Sequence, residues 1–376
     1  MIRVLQVVTS MDVGGIEVLL MNLYRHIDRS VLQFDFLLHR LQVTHFEKEI
    51  QELGGRIYRV PPVNPLHHHA YLKALEAFFV AHTEHKIVHA HNNAFSMYVL
   101  RAAKKAGVSV CIAHSHIADV PFDWKRSIFY NYCRIKIKKY VDYAFACSND
   151  AGKWLFGKHI LNIDCFHVLH NGIICEKFRY SEMIRRDLRT KLGIGNQFVI
   201  GHIGRFSEQK NQLFILSVFS KILQSHPESL LLFVGDGKGR EKIEHQAQNM
   251  NLIGKVQFLG VRSDVPNLMQ AMDVFLFPSL FEGFPVTLVE AQAAGLPCVV
   301  SDTISKEVKI TDLVEFVPLS KSPEEWAKIV LEKAKLTDRK DYSEEVKRAG
   351  FDVMENAKWL QEFYLARHRE AMEQKR

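Results

Sequence analysis

The chain has 376 residues, of which 47% are hydrophobic and 24% charged, a composition typical of a soluble globular protein. A single hydrophobic core stops growing at about 250–300 residues, so the length predicts two domains. No run of about 18 apolar residues occurs, so we expect no transmembrane helix, and the N-terminus lacks the layout of a signal peptide. Six scattered cysteines without a Cys-x-x-Cys pair favour reduced thiols in a cytoplasmic protein.

Positive charge is concentrated in the N-terminal part of the chain. Residues 1–170 contain 20 Lys+Arg against 14 Asp+Glu, a net charge of +6 out of the total of +7, and 15 of the 19 histidines. This asymmetry favours contact with an anionic partner, such as membrane headgroups, a pyrophosphate-bearing lipid or nucleic acid. No nucleic-acid recognition motif accompanies the charge, so we expect no nucleic-acid role.

The chain opens with a strand, a glycine turn and a helix. Residues 2–8 form an apolar run fit for a buried parallel strand, and residues 17–26 have helical periodicity. Between them, Gly14 and Gly15 would allow a tight turn and the close approach of a ligand. The segment matches neither the G-x-G-x-x-G fingerprint nor a P-loop, and a glycine pair also suits plain close packing.

Strand and helix patterns then alternate as far as residue 170, with a helix expected at residues 92–107, and a polar stretch follows to about residue 195. Two of the predicted strands end in histidine pairs, at His89 and His91 and at His114 and His116. Ligands lie beyond the carboxyl ends of the strands in such sheets, although histidines that only hydrogen-bond a turn remain an alternative. A loop at residues 67–69 carries three adjacent histidines, which project in different directions and predict no metal site.

A basic segment with aromatic residues, WKRSIFYNYCRIKIKKY at residues 124–140, interrupts this alternation. A basic amphipathic helix of this kind can lie on an anionic membrane surface. An ordinary domain helix with a solvated basic face explains the same pattern.

The α/β rhythm restarts in the second half, and four of its strands lead into loops with glycine or charge. Arg205 and Lys210 share the loop between a strand at residues 198–203 and a helix expected at about residues 212–225. Gly235 and Gly260 follow two further strands and would leave room for a flat base against the backbone. Two cations in one loop can hold a diphosphate.

Residues 279–302, SLFEGFPVTLVEAQAAGLPCVVSD, predict a turn, a helix and a strand. We expect Pro285 at the first helical position, because its missing N–H needs no partner there. The N–H groups of Gly283 and Phe284 would then lie at a helix N-terminus that favours an anion. Glu282 and Glu290 flank this point as acceptors for hydroxyl groups. Together the parts indicate a pocket for base, ribose, diphosphate and sugar.

These motifs resemble retaining glycosyltransferase family 4, in the EpsF-like branch that makes bacterial exopolysaccharide or capsule. The resemblance spans nearly the whole chain and rests on the first glycine pair, GRFSEQKN, AHSH, NGI, GDG and the two glutamates with seven residues between them. It implies an α/β protein of GT-B fold, with two facing Rossmann-like domains and the active site in the cleft between them. We expect one domain at residues 1–170 plus about 351–376, and the donor-binding domain at residues 171–350. Apolar residues at helical spacing predict that the tail at residues 351–376 is a helix. Where this branch often has Asn after AHSH, Ile117 follows here.

The resemblance also assigns roles. Arg205 and Lys210 would bind the donor diphosphate, Glu290 the ribose hydroxyls and Glu282 the sugar hydroxyls, while His114 reaches the sugar. The catalytic set is thus Glu282, His114, Arg205 and Lys210. The residues expected around the donor are Gly14, Gly15, Arg205, Lys210, Gly235, Gly260, Val261, Glu282, Gly283, Phe284, Pro285, Val286 and Glu290.

The expected reaction moves a sugar from a nucleotide diphosphate, with UDP favoured, to a saccharide or a polyprenyl-diphosphate-linked saccharide, with retention. We expect no cofactor and no metal, because the chain has no Asp-x-Asp pair and its cations can neutralise the leaving diphosphate. Two alternatives remain at this stage: a nucleotide-sugar epimerase of the same fold, and a non-catalytic partner subunit. The protein would be cytoplasmic, with peripheral contact to the inner face of the membrane.

Overall fold

The computed structural model describes residues 1–62, 68–117, 124–336 and 339–373. The chain divides into two compact units, one of residues 1–172 with 353–376 and the other of residues 173–352. The chain passes from the first unit to the second after residue 172 and returns at residue 353, in each case two residues later than predicted. In the described part of the chain, no helix has both the length and the apolar character that crossing a membrane requires.

The first unit is built on a seven-stranded parallel sheet in the order β3-β2-β1-β4-β5-β6-β7. Every residue of β2 is buried, as expected of a parallel sheet covered on both faces. Its strands are β1 Ile2–Val8, β2 Leu32–Leu38, β3 Ile57–Arg59, β4 Ile87–Ala90, β5 Val110–Ser115, β6 Tyr143–Ala146 and β7 Phe166–Val168. Its first six helices are α1 Gly15–His26, α2 Glu47–Glu52, α3 His68–Ala81, α4 Ser96–Lys105, α5 Trp124–Ile137 and α6 Asn149–Phe156.

The second unit has a six-stranded parallel sheet in the order β10-β9-β8-β11-β12-β13, with a hydrophobic cluster on either face. The strands are β8 Val199–Ile203, β9 Leu230–Val234, β10 Val256–Phe258, β11 Val274–Phe277, β12 Cys298–Ser301 and β13 Val314–Val317. The helices are α7 Cys175–Phe178, α8 Glu182–Lys191, α9 Gln212–Ser225, α10 Arg240–Asn249, α11 Val265–Ala271, α12 Val286–Ala293, α13 Pro323–Leu336 and α14 Ser343–Val346.

The last helix, α15 Val353–Glu373, belongs to the first unit and packs against α1. Its buried residues recur at the spacing of one helix face and are Val353, Ala357, Leu360, Tyr364 and Ala371. Tyr364 is fully buried, with its ring edge-on to Phe34 of β2 at 6.1 Å between ring centroids. The tail that the sequence predicts to be helical is therefore part of the core of this unit.

Two local predictions are wrong. The polar stretch expected up to about residue 195 contains α8, whose N-terminus is capped by the Ser181 hydroxyl accepting from the Ile184 N–H at 3.4 Å. Its two buried residues are too few to show helical periodicity in the sequence. The helix expected from residue 92 begins as α4 at Ser96, because Asn93 has a left-handed φ of 49° and starts a short 3₁₀ turn.

Candidate functional site

The candidate residues of the second unit gather where its strand order reverses. Strand β8 pairs with β9 on one side and with β11 on the other, so the chain progresses away from β8 in both directions. Ligands of open parallel sheets bind beyond the carboxyl ends of the strands at such a point. The loops that leave β8 and β11 there are residues 204–211, the arginine loop, and residues 278–285, the glutamate loop.

The arginine and glutamate loops are tied together by hydrogen bonds. The Leu280 N–H donates to the Gln209 carbonyl at 2.8 Å, and the Gln209 side chain donates to the Phe281 carbonyl at 2.9 Å. Asn211, with a left-handed φ of 55°, donates from Nδ2 to the Pro278 carbonyl at 3.2 Å. No role could be predicted for Gln209 and Asn211, since their partners lie some 70 residues away and leave no local signal in the sequence.

The ion pair between Lys210 and Glu282 joins the two loops. Lys210 Nζ lies 2.7 Å from Glu282 Oε1 and 4.6 Å from the centre of the Phe277 ring, while Gln209 Nε2 donates to Glu282 Oε2 at 3.2 Å. Only 16% of the Lys210 side chain and 8% of the Glu282 side chain are exposed. The sequence predicted separate roles for these residues, with Lys210 as a flexible cation. The structure instead holds Lys210 in place and fixes the orientation of the Glu282 carboxylate.

Arg205 provides the unpaired positive charge of this edge. Its side chain is exposed, and it makes no hydrogen bond or ion pair with any residue that the structure describes. The Arg205 carbonyl accepts from the Gln212 side chain at 2.9 Å, which anchors the backbone while the guanidinium stays free. A free guanidinium can offer two parallel N–H groups to an anion.

The N-terminus of α12 lies one residue later than predicted. The helix begins at Val286, and Pro285 is its N-cap with an extended backbone, so the prediction of Pro285 as the first helical residue is wrong. The first helical N–H groups are those of Val286 and Thr287, which have no partner within the helix. Gly283 and Phe284 lie in the preceding turn, where the Phe284 ring stacks on that of Phe351 at 5.5 Å.

Glu290 is a carboxyl group without a partner. It is half-buried in the second turn of α12, and no described residue gives it a hydrogen bond or an ion pair. Burial raises its pKa from 4.5 to about 7. An unpaired carboxylate in such a place gains by accepting hydrogen bonds from hydroxyl groups.

The glycine loops beyond β9 and β10 differ from expectation in one respect. Gly235 has a left-handed φ of 128°, and a Cβ there would lie 2.2 Å from the Gly204 carbonyl oxygen, so backbone and not a ligand fills that space. Its N–H donates to the Gly260 carbonyl at 2.8 Å. Val261, which follows, is 79% exposed. The missing Cβ of Gly235 therefore leaves room for the Gly204 carbonyl, while the Val261 side chain is open to solvent.

The first unit carries the remaining predicted residues. Gly14 is the N-cap of α1 and Gly15 its first residue; neither has a left-handed backbone, so the expected tight turn does not require glycine. A Cβ at Gly15 would meet nothing within 4 Å, which leaves space beside it. His114 lies within β5 and not after it, and is fully buried.

A group of three buried histidines has the geometry to hold a metal ion, since one ring nitrogen of each lies within 4.8 Å of the others. It consists of His89, His91 and His114 and is the only such group in the described ranges. Hydrogen bonds among these rings and their neighbours already engage their nitrogens, apart from Nε2 of His114. Of the histidine loop considered above, His67 lies outside the described residues and His68 begins α3.

Comparisons with known proteins agree with this architecture. The profile described as Glycosyltransferase Family 4 matches residues 13–177, and that described as Glycosyl transferases group 1 matches residues 184–349. EpsF of Bacillus subtilis (strain 168), whose name places it among the glycosyltransferases, is 34% identical over 368 residues, 96% of each chain. A UDP-Gal:alpha-D-GlcNAc-diphosphoundecaprenol alpha-1,3-galactosyltransferase of Escherichia coli is 32% identical over 58% of each chain.

Solved structures show the same fold. Anabaena HepE in complex with UDP aligns with a TM-score of 0.77 and 19% identity, over 97% of this chain and all of that one. WaaG, a glycosyltransferase involved in lipopolysaccharide biosynthesis, aligns with a TM-score of 0.60 and 18% identity over 98% of each chain. With two parallel sheets of seven and six strands, the chain belongs to glycosyltransferase family 4 and has the GT-B fold.

Proposed function

We propose that this transferase moves a sugar from a UDP-sugar to a lipid-linked saccharide in the synthesis of an exopolysaccharide or capsule, with retention and without a metal ion. The observation that carries the proposal is that charged side chains at the second unit's site have no protein partner among the described residues. Arg205 and Glu290 have no protein partner among the described residues, and the start of α12 offers free N–H groups. A cation and a helix N-terminus suit phosphate groups, and a carboxylate suits hydroxyl groups.

In the reaction the bond between the sugar C1 and the diphosphate oxygen breaks, and a bond from C1 to the acceptor oxygen forms. The acceptor hydroxyl gives its proton to the departing phosphate oxygen on the same face of the sugar, so the configuration is retained. Arg205 and the α12 N-terminus stabilise the negative charge that develops on the diphosphate, in place of a metal. Glu282, held by Lys210 at 2.7 Å, accepts hydrogen bonds from the sugar.

The choice of UDP and of a lipid-linked acceptor is supported by relatives. HepE was crystallised with UDP and with UDP-glucose. The E. coli relative uses UDP-Gal and a diphosphoundecaprenol-linked acceptor according to its name, and EpsF aligns over nearly the full length of both chains.

The surface of α5 supports contact with a membrane. Ile128, Tyr132 and Ile135 are exposed on this helix at 66%, 48% and 69%, spaced four and three residues apart on one face. Lys138 and Lys139 follow its end and are also exposed. An apolar stripe beside lysines fits the surface of anionic lipids. Neutralising both lysines should abolish cosedimentation with phosphatidylserine vesicles, and unchanged binding would contradict this part of the proposal.

Calorimetric titration tests the donor site. We expect UDP and one UDP-sugar to bind the metal-free protein, GDP and ADP to bind far more weakly, and Glu290→Ala to weaken UDP binding. Glu324→Ala is the control, because Glu324 is exposed and pairs with Lys221 at 2.6 Å. Incubation with the UDP-sugar and acceptor in EDTA should yield product with the anomeric configuration of the donor. Absence of nucleotide binding to the folded protein, or an inverted product, would refute the proposal.

A further inference from the structure

Four buried histidine rings lie together at the carboxyl ends of β4 and β5. His114 and His116 stack with 4.0 Å between ring centroids, and His89 and His91 with 4.3 Å. Burial lowers the pKa of all four rings, and that of His116 falls to about 3. For His89, His91 and His114 the neighbouring rings lower the pKa further. Each ring is therefore neutral at physiological pH and carries one N–H and one lone pair.

One chain of hydrogen bonds begins at the side chain of Gln6, which is buried in β1. Gln6 Oε1 lies 2.9 Å from His91 Nε2, and His91 Nδ1 lies 2.9 Å from His116 Nε2. Nδ1 of His116 is buried and has no partner. Because an amide oxygen only accepts, His91 must donate to it from Nε2 and accept at Nδ1. His116 then donates from Nε2 and is left with a lone pair at Nδ1.

A second chain begins at the same amide. Gln6 Nε2 donates to the Tyr364 hydroxyl at 3.2 Å, and that hydroxyl lies 2.6 Å from His89 Nδ1. His89 Nε2 lies 3.2 Å from His114 Nδ1, while Nε2 of His114 is buried without a partner. With its oxygen accepting from the amide, Tyr364 donates to His89. His89 in turn donates to His114, which keeps its N–H at Nε2.

The two chains thus end in opposite polarity, an unpaired N–H on His114 and an unpaired lone pair on His116. An unpaired buried polar group destabilises the protein, and a ligand that satisfies both groups would remove that cost. Phosphate and carbonyl oxygens only accept, so they match His114 alone. Hydroxyl groups both donate and accept, and they match the pair.

We propose that Gln6 and Tyr364 are positioning residues, which fix the tautomers of two histidine chains so that a hydroxyl-bearing sugar meets a donor at His114 and an acceptor at His116. The inference rests on the proposed function for the identity of the ligand. The tautomers themselves are a property of the unliganded protein. The fixed polarity makes the first unit selective for a hydroxyl group at this position.

The test is nitrogen NMR of the full chain labelled with ¹⁵N-histidine, which reports which ring nitrogen carries the proton. We expect one tautomer, protonated at Nε2, for both His114 and His116. In Tyr364→Phe the donor to His89 is lost, and His114 should become a mixture of tautomers while His116 is unchanged. Tyr24→Phe is the matched control, because its buried hydroxyl lies 2.5 Å from Gln33 and outside the histidine chains.

A second variant, Gln6→Glu, reverses only one chain. A carboxylate accepts from both His91 and Tyr364, so Tyr364 no longer donates to His89, and the proton of His114 should move to Nδ1. His116 should keep its tautomer. Turnover should fall by about tenfold or more while UDP affinity stays the same, because the lost hydrogen bond lies at the sugar.

Three results would overturn the inference. They are a His114 tautomer that Tyr364→Phe leaves unchanged, charged rings in the wild-type protein, and one equivalent of zinc bound to the cluster, since a metal would take the lone pairs. If NMR shows the expected tautomers but no nucleotide binds, the proposed function fails and the hydrogen-bond assignment stands. If UDP binds and the tautomers are mixed, the assignment alone fails.

Discussion

The raised pKa of Glu290 predicts that Glu290→Gln stabilises the folded protein more strongly as the pH rises. Burial raises this pKa from 4.5 to about 7, so the folded state resists ionisation that the unfolded chain completes. The difference between these two pKa values destabilises the folded protein by about 3 kcal/mol at pH 8, at about 1.4 kcal/mol per pH unit. Below about pH 4.5 both states are protonated and the cost disappears. Between pH 5 and pH 8 the advantage of the amide should therefore grow by about 2–3 kcal/mol.

Urea unfolding followed by the fluorescence of Trp326 measures this difference. Trp326 is fully buried and is the single tryptophan of the second unit, so replacing the other three by Phe gives a probe of that unit alone. Wild-type and Glu290→Gln chains are compared at matched pH, which cancels every other titrating group. The exposed Glu324 provides the control, since its pKa is lowered by the hydrogen bond from Lys221 and Glu324→Gln should gain nothing between pH 5 and pH 8.

A constant difference between wild-type and Glu290→Gln across this pH range would refute the reasoning. It would mean that the carboxylate finds a hydrogen-bonding partner in the folded protein, and that it is not held open for a ligand. A difference that disappears when UDP is added would support the link between this carboxyl and the ribose.

Three further outcomes follow from the structure. Lys210→Met should lower turnover about a hundredfold or more, because Glu282 loses its partner at 2.7 Å, and near-normal turnover in a sugar-transfer assay would contradict this. Burial tends to raise the pKa of Asp35, but hydrogen bonds from neighbouring residues outweigh it and lower the pKa from 3.8 to about 2. Its contribution of about 2 kcal/mol is thus present above about pH 4 and lost as the pH falls to 2, so acid unfolding monitored by circular dichroism should begin at higher pH in Asp35→Asn. Gly235→Ala should lower the urea midpoint more than Gly254→Ala, since both have left-handed backbones but only the first lacks space for a Cβ; equal losses would show that strain alone decides.

The repeating strands and helices could be predicted from the sequence because each buried parallel strand is a short apolar run. Strand β1 was predicted over its full length and α9 at both ends, since apolar periodicity and flanking polar residues define them locally. Helix α8 was missed because ten mostly charged residues form an amphipathic face with only two buried positions. A helix or strand can be recognised from the local sequence only where enough of its residues are buried and apolar.

The site was predictable as a set of residues but not as a set of contacts. The sequence predicted one pocket for Arg205 and Glu282, and the sheet order places them after the neighbouring strands β8 and β11. The pairing of Lys210 with Glu282 depends on how two loops 72 residues apart pack, and no local signal encodes it. The same holds for Gln6 and Tyr364, which are 358 residues apart. Both contacts depend on the tertiary packing of segments that are far apart in the sequence.

The return of the C-terminal helix to the first unit has a consequence for synthesis on the ribosome. The chain leaves this unit after Gly172 and re-enters it at Val353, so the second unit is an uninterrupted insertion that can fold as soon as it emerges. The first unit lacks α15, and with it the buried Tyr364, until residues 353–373 have been translated. While residues 353–373 remain untranslated or inside the ribosome, a finished second unit can therefore stand beside an incomplete first unit. The Tyr364 hydroxyl meets Gln6 and His89 only after every residue of the second unit has been synthesised.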